Sequence, residues 1–184
     1  MKLPKHGASE HTPSAAVRSS STMNALRTSF FAAAGPSAAR FGLSFDDLVI
    51  HLWHARRLTG PISLRLVHHL DDLTHAAACA QNHDRAWCDL SDTYERWLVR
   101  RIRPNAGQID ALLEVRRFFN LLRDDEHGVG VGAAMSLSAF RGYVPLKVWL
   151  ANALIESRQC GGQLPRALEI TERLSRTGTS FPGS

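Results

Sequence analysis

The residues best equipped for chemistry lie late in the chain, in LSAFRGYVPLKVWLANALIESR, Leu137 to Arg158. An aromatic-basic-glycine group, Phe140-Arg141-Gly142-Tyr143, precedes Pro145, and Leu146, Trp149, Leu150, Ala153 and Leu154 then recur at helical spacing. Pro145 suits the first turn of a helix, where its missing N–H would have no intrahelical acceptor. Lys147 and Asn152 are interleaved with the apolar residues, and Arg158 and Gln159 close the stretch. Unstacked bases and phosphates require aromatic faces beside cationic and amide groups. Stacking contributes roughly 1–3 kcal/mol per base, and phosphate contacts add a salt-dependent term. Trp149 and Leu150 serve equally well as core, and Phe140 as an anchor for the turn.

Other candidate sites are weaker in their chemistry. Gly128-Val129-Gly130-Val131-Gly132 lacks the following Gly-Lys-Ser/Thr and the preceding strand of a phosphate loop, so it reads as a connector. His75, Cys79 and His83 are spaced to share a helix face, with Cys88 following, but Asn82-His83-Asp84 has the composition of a helix break and no C-x-x-C pair is present. Asp71-Asp72 and Asp124-Asp125-Glu126-His127 supply acids without a nucleophile elbow or a triad setting. The reading is therefore of a protein that is not an enzyme, with no catalytic residue, no metal and no cofactor.

The elements that would position the late stretch are helical. Ser44 is an N-cap, with Asp46 and Asp47 in the first turn, and Phe45, Leu48, Val49, Leu52 and Trp53 follow at helical spacing until Gly60-Pro61. A second helix is expected from about Ser63 to Gln81, its run Ala76 to Ala80 allowing close packing. A third is expected from Asp84 to Arg103, with Trp87, Leu90, Tyr94, Trp97, Leu98 and Ile102 on one face, and a fourth from Gln108 to Arg123. Asp124 to Ser138 reads as a loop. After Gly161-Gly162, Leu164 to Ser175 could add a short helix before a loose end. No stretch reads as a strand.

The 184 residues suffice for one domain and a tail, and 44% hydrophobic content permits a core. Lys and Arg number 22 against 17 Asp and Glu, a formal charge of +5, which suits nucleic acid without specifying it. No apolar run approaches the roughly 20 residues a bilayer requires. Three cysteines without a framework of spacings point to a reducing, cytoplasmic setting. The expected organisation is a Ser/Ala-rich tail over 1–43, disordered for the most part with room for a short helix around Thr22 to Ala34 that Gly35-Pro36 would end, a helical domain over 44–160, and a short helix with a loose tail over 161–184.

The order of these pieces carries a resemblance. Asp71-Asp72-Leu73, the small residues Ala76 to Ala80, the turn into Trp87, and Tyr94-Glu95-Arg96-Trp97-Leu98 resemble the opening of region two, the core-binding domain of alternative, extracytoplasmic-function-like bacterial sigma factors. Phe140-Arg141-Gly142, followed by Pro145-Leu146-Lys147 and Trp149-Leu150, is similar to the closing signature of that region, in the form of the myxobacterial-type sub-branch. The resemblance implies an all-α fold, a single bundle of about five helices. It implies transcription initiation as the function, with RNA polymerase core and the single-stranded minus-ten promoter element as partners and an anti-sigma regulator as a further candidate. It carries Arg141, Lys147, Trp149, Asn152, Arg158 and Gln159 to DNA, Trp149 as support or as a stacking face, and Asp110, Glu114 and Arg117 to core docking. The reading from a different class is a helical protein–protein interaction module.

Three departures qualify it. Cys160-Gly161-Gly162 stands where the family continues with arginines. Ala111-Leu112-Leu113-Glu114-Val115-Arg116 replaces the acidic-Gln docking signature. Leu164 to Ser184 is too short for the helix-turn-helix that reads the minus-thirty-five element, which leaves three readings: a truncated sigma factor, a diverged one, or a sigma-like protein that binds polymerase without starting transcription.

Overall fold

The computed structural model describes residues 15–59, 67–102, 108–126 and 136–159. These form seven α-helices and one 3-10 turn: α1 (Ala15–Ala33), α2 (Gly35–Phe41), α3 (Phe45–Thr59), α4 (Leu70–Ala80), α5 (Asp84–Ile102), α6 (Gln108–Glu126), the 3-10 turn (Leu137–Ala139) and α7 (Leu146–Gln159). No strand occurs among the described residues, and the class is all-α.

Helix α4 lies at the centre, in contact with α1, α2, α3, α5, α7 and the 3-10 turn. Its sequence explains why. Leu70, Leu73, Thr74 and the run Ala76 to Cys79 are all buried, and small side chains let neighbours approach on several sides. Thr74 satisfies its hydroxyl in place by donating to the Leu70 carbonyl at 2.8 Å. The helix ends where Asn82 takes the left-handed conformation (φ 61°), with His83 N–H on the Ala78 carbonyl and Asn82 N–H on the Cys79 carbonyl. The Trp87 indole N–H covers the same end by donating to the Cys79 carbonyl at 3.0 Å.

Helix α3 begins at the expected cap. The Ser44 hydroxyl accepts the Asp47 N–H at 3.2 Å, and Asp47 Oδ2 accepts both the Ser44 N–H at 2.8 Å and the Ser44 hydroxyl at 2.7 Å. Those hydrogen bonds to Ser44 hold the Asp47 carboxyl below its ordinary value. Helices α5 and α6 pack side by side, tied at their surface by Arg116 to Glu95 (3.0 Å) and Arg123 to Asp84.

The N-terminal region departs from its expectation. Residues 15–41 form α1 and α2: the first starts well before the short helix allowed around Thr22 to Ala34, and the second follows the break at Gly35-Pro36 where disorder was expected, so the total is seven where about five were expected. Leu26, Phe30, Ala34, Ala38 and Phe41 continue one buried stripe across the break at Gly35, and Pro36 sits in the first turn of α2. Burying a side chain such as Phe30 contributes about 1.5–3 kcal/mol, which offsets the ordering entropy that the Ser/Ala composition suggested would prevail. Arg40 then reaches from α2 to Asp89 on α5 at 2.6 Å. Helix α6 also continues to Glu126, three residues beyond its expected end. The second helix begins at Leu70 and not near Ser63, since Val67 to His69 are not helical. Residues 1–14, the Gly128–Gly132 connector and the expected short helix from Leu164 to Ser175 lie outside the described residues.

Candidate nucleic-acid interface

The turn before α7 is held from three directions. The Gly142 carbonyl accepts the N–H groups of His68 and His69, both at 3.1 Å. The His51 ring of α3 is within 3.0 Å of the Phe140 carbonyl, so Nε2 carries the proton and donates it. Phe140 is buried and meets Trp149 edge to face, with ring centroids 5.8 Å apart. Gly142 has φ +69°, and a Cβ there would lie 3.3 Å from Val67 Cγ1 and 3.4 Å from Leu73 Cβ. Glycine is therefore required both by the backbone and by the close approach to α4.

The first turn of α7 is satisfied from outside its own segment. Asp72 Oδ2 on α4 accepts the Leu146 N–H at 2.8 Å, while Oδ1 takes a long hydrogen bond from the Tyr94 hydroxyl of α5 at 3.4 Å. One carboxylate thus joins α4, α5 and α7 and caps a helix N-terminus, where negative charge is favoured. Burial first, then the nearby Asp72 charge, pushes the Tyr94 phenol above its ordinary value.

Leu146, Trp149, Leu150, Ala151, Ala153, Leu154 and Ser157 bury one side of α7. The outer side presents exposed Lys147 and Gln159 with half-buried Asn152. Arg141 is half-buried beside the turn, its guanidinium 5.9 Å from the Tyr143 ring centroid. Burial lowers the Arg141 pKa and Tyr143 opposes that, but an arginine remains charged. Lys147, Asn152, Gln159 and Arg141 therefore belong to one outward-facing turn and helix.

Two expected DNA contacts sit differently. Trp149 is only 5% exposed, so its faces are spent on the core and it supports the turn instead of stacking on a base. Arg158 lies 2.7 Å from Glu114 on α6, both about a third exposed. This pair joins a residue expected to contact DNA to one expected to dock the polymerase. A cleft of about 290 Å³ opens beside it, between α6 and α7, lined by Glu114, Arg117, Phe118, Leu154 and Ser157 among others. Asp110 and Arg117 are exposed on α6, and neither takes part in an ion pair among the described residues. A larger polar groove of about 710 Å³, between α5 and α6, is crossed by the Arg116–Glu95 pair and does not reach α7.

Among the described residues, no three His, Cys, Asp or Glu side chains come together as a metal site. His75 is within hydrogen-bond reach of the Ala86 carbonyl at 2.9 Å, its ring 5.1 Å from that of Phe41, and Cys79 is buried. No described helix is long and apolar enough to cross a membrane.

Two positions that hold the turn and α7 escape a reading of the sequence. His51 lies on the same stripe as Leu48, Leu52 and Ala55, and its position in that apolar phase was the available signal. Asp72 stands out only as half of an acidic pair, and nothing local links it to a helix 74 residues later. No protein-family model, curated protein or solved structure matches this chain.

Proposed function

We propose that this protein acts like region two of a sigma factor, binding RNA polymerase core through α6 and single-stranded promoter DNA through the Phe140–Tyr143 turn and α7. The observation that carries the reading is the fixed presentation of that turn and helix. Gly142, Phe140 and Leu146 are each hydrogen-bonded to α3, α4 or the residues entering α4, while Arg141, Lys147, Asn152 and Gln159 are left on the accessible side. A preorganised backbone carrying cationic and amide groups suits the capture of unpaired nucleotides, because little backbone ordering remains to be done on binding.

The test is direct. The purified chain is expected to co-elute with RNA polymerase core and to shift the anisotropy of a labelled minus-ten single strand. Absence of both interactions rejects the reading.

A second reading is favoured by a specific surface. Ile109 and Leu113, one turn apart on α6, are 76% and 60% exposed beside Asp110, Glu114 and Arg117. An exposed apolar pair flanked by charges is suited to helix–helix contact with another protein. If the chain binds a protein through this ridge but neither polymerase nor DNA, the interaction-module reading takes precedence.

A further inference from the structure

The outer face of α3 takes no part in the proposed interface, yet it has a distinctive composition. Asp46, Ile50, Trp53 and Arg57 follow one another at intervals of four, three and four residues, so they form a single stripe along the helix. Ile50 and Trp53 are each 52% exposed, unlike the opposite side of α3, where Leu48, His51, Leu52 and Ala55 are buried. Arg57 lies over the Trp53 ring at 4.9 Å and holds the indole against the helix. Asp46 is exposed and takes part in no ion pair among the described residues. The stripe reads acid, aliphatic, aromatic, base from the N-terminus onward.

That order is complementary to itself in one orientation only. When two such helices run antiparallel about a two-fold axis midway between Ile50 and Trp53, each Ile50 meets the Trp53 of the other copy and each Asp46 meets the other Arg57. A parallel arrangement instead sets like charge against like. Two-fold contacts are isologous, so a patch must satisfy its own copy, and this one does. The centre holds a tryptophan, the residue type most enriched among strongly contributing interface positions, and the charges fall at the ends.

We propose that this face of α3 forms an antiparallel two-fold dimer of the chain. The occupant is a second copy, because the two charges at the ends of the stripe are opposite and equidistant from its apolar centre. The dimer uses neither α6 nor α7, so it is independent of the reading given for those helices.

Sedimentation of the full chain over a dilution series tests it. The wild type is expected to move from monomer to dimer with rising concentration. Trp53→Ala is expected to raise the dissociation constant at least about tenfold. Asp46→Lys is expected to weaken association, and adding Arg57→Glu to it is expected to restore association to within about threefold of wild type, as charge pairing across the axis requires. Circular dichroism confirms that each variant keeps its helices, which the exposure of all three positions favours. A wild type that stays monomeric throughout overturns the dimer and leaves the stripe to a different partner. A dimer that Trp53→Ala leaves unchanged also overturns it, as does a charge swap that fails to restore association.

Discussion

Asp72 on α4 accepts the backbone N–H of Leu146, the first residue of α7, at 2.8 Å across 74 residues of sequence. The same side chain receives the Tyr94 hydroxyl, so the placement of α7 depends on a carboxylate delivered by the central helix.

Asp72→Ala is therefore expected to lower stability by about 1–2 kcal/mol, the range for losing a helix cap. Asp72→Asn keeps an acceptor without the charge and is expected to cost less. Tyr94→Phe removes only the long hydrogen bond and is expected to cost under about 1 kcal/mol. Urea denaturation of the three variants checks the order.

His51 gives the fold a pH dependence whose sign is fixed. Burial pulls its imidazole down to about 4, with His54 adding to the lowering and the Phe140 carbonyl opposing it. The unfolded chain, with a histidine near 6.5, takes up the proton first as pH falls. The stabilisation from keeping His51 neutral is complete above pH of about 6.5 and declines toward pH 4, by about 3 kcal/mol at most. Urea midpoints measured from neutral pH down to pH of about 4.5 are expected to fall, and His51→Gln is expected to remove this site's share of the slope.

Gly142→Ala is expected to destabilise by about 1–2 kcal/mol, because a side chain is strained at φ +69° and its Cβ would press on Val67 and Leu73. Thermal melts measure it. A variant as stable as wild type would show that the turn relaxes away from α4.

Lys147 and Trp149 are expected to separate binding from folding. Trp149→Ala opens the core under Phe140 and is expected to cost about 3–5 kcal/mol. Lys147→Ala, at an exposed position, is expected to leave stability within about 0.5 kcal/mol. On the proposed function it weakens single-strand DNA binding and reduces the salt slope by about one. Anisotropy titrations at several salt concentrations check this, and equal slopes for variant and wild type remove Lys147 from the interface.

Much of the helical framework was legible from local signals. Ser44 with Asp47, the entry into α5 at Asp84, Pro145 before α7 and the apolar stripes of α5 and α6 all act within one or two helical turns, which is the range over which periodicity and capping speak. Of the N-terminal helices, part of α1 was legible around Thr22 to Ala34, while its full length and α2 were obscured because composition was averaged over a Ser/Ala-rich region. The stripe Leu26, Phe30, Ala34, Ala38, Phe41 was present but crossed Gly35-Pro36, the strongest break in that region. The candidate site was half legible. Arg141, Lys147, Asn152 and Gln159 follow from residue type and helical phase. The burial of Trp149, the Arg158–Glu114 pair, the His51 hydrogen bond and the Asp72 cap depend on which distant residues meet, and residue spacing along the chain does not encode that.

The dependence of α7 on α4 also bears on how the chain is made. His51 acquires its carbonyl partner, and Asp72 the second of its two partners, only once Phe140 and Leu146 have been made. A nascent chain that has emerged only through α6 holds the central helix with one apolar flank uncovered and a polar histidine without its carbonyl. Closure of this domain consequently waits for α7 to leave the ribosome, governed by contacts of long sequence separation. The interval before α7 arrives is when the exposed alanine-rich surface of α4 is most open to wrong partners.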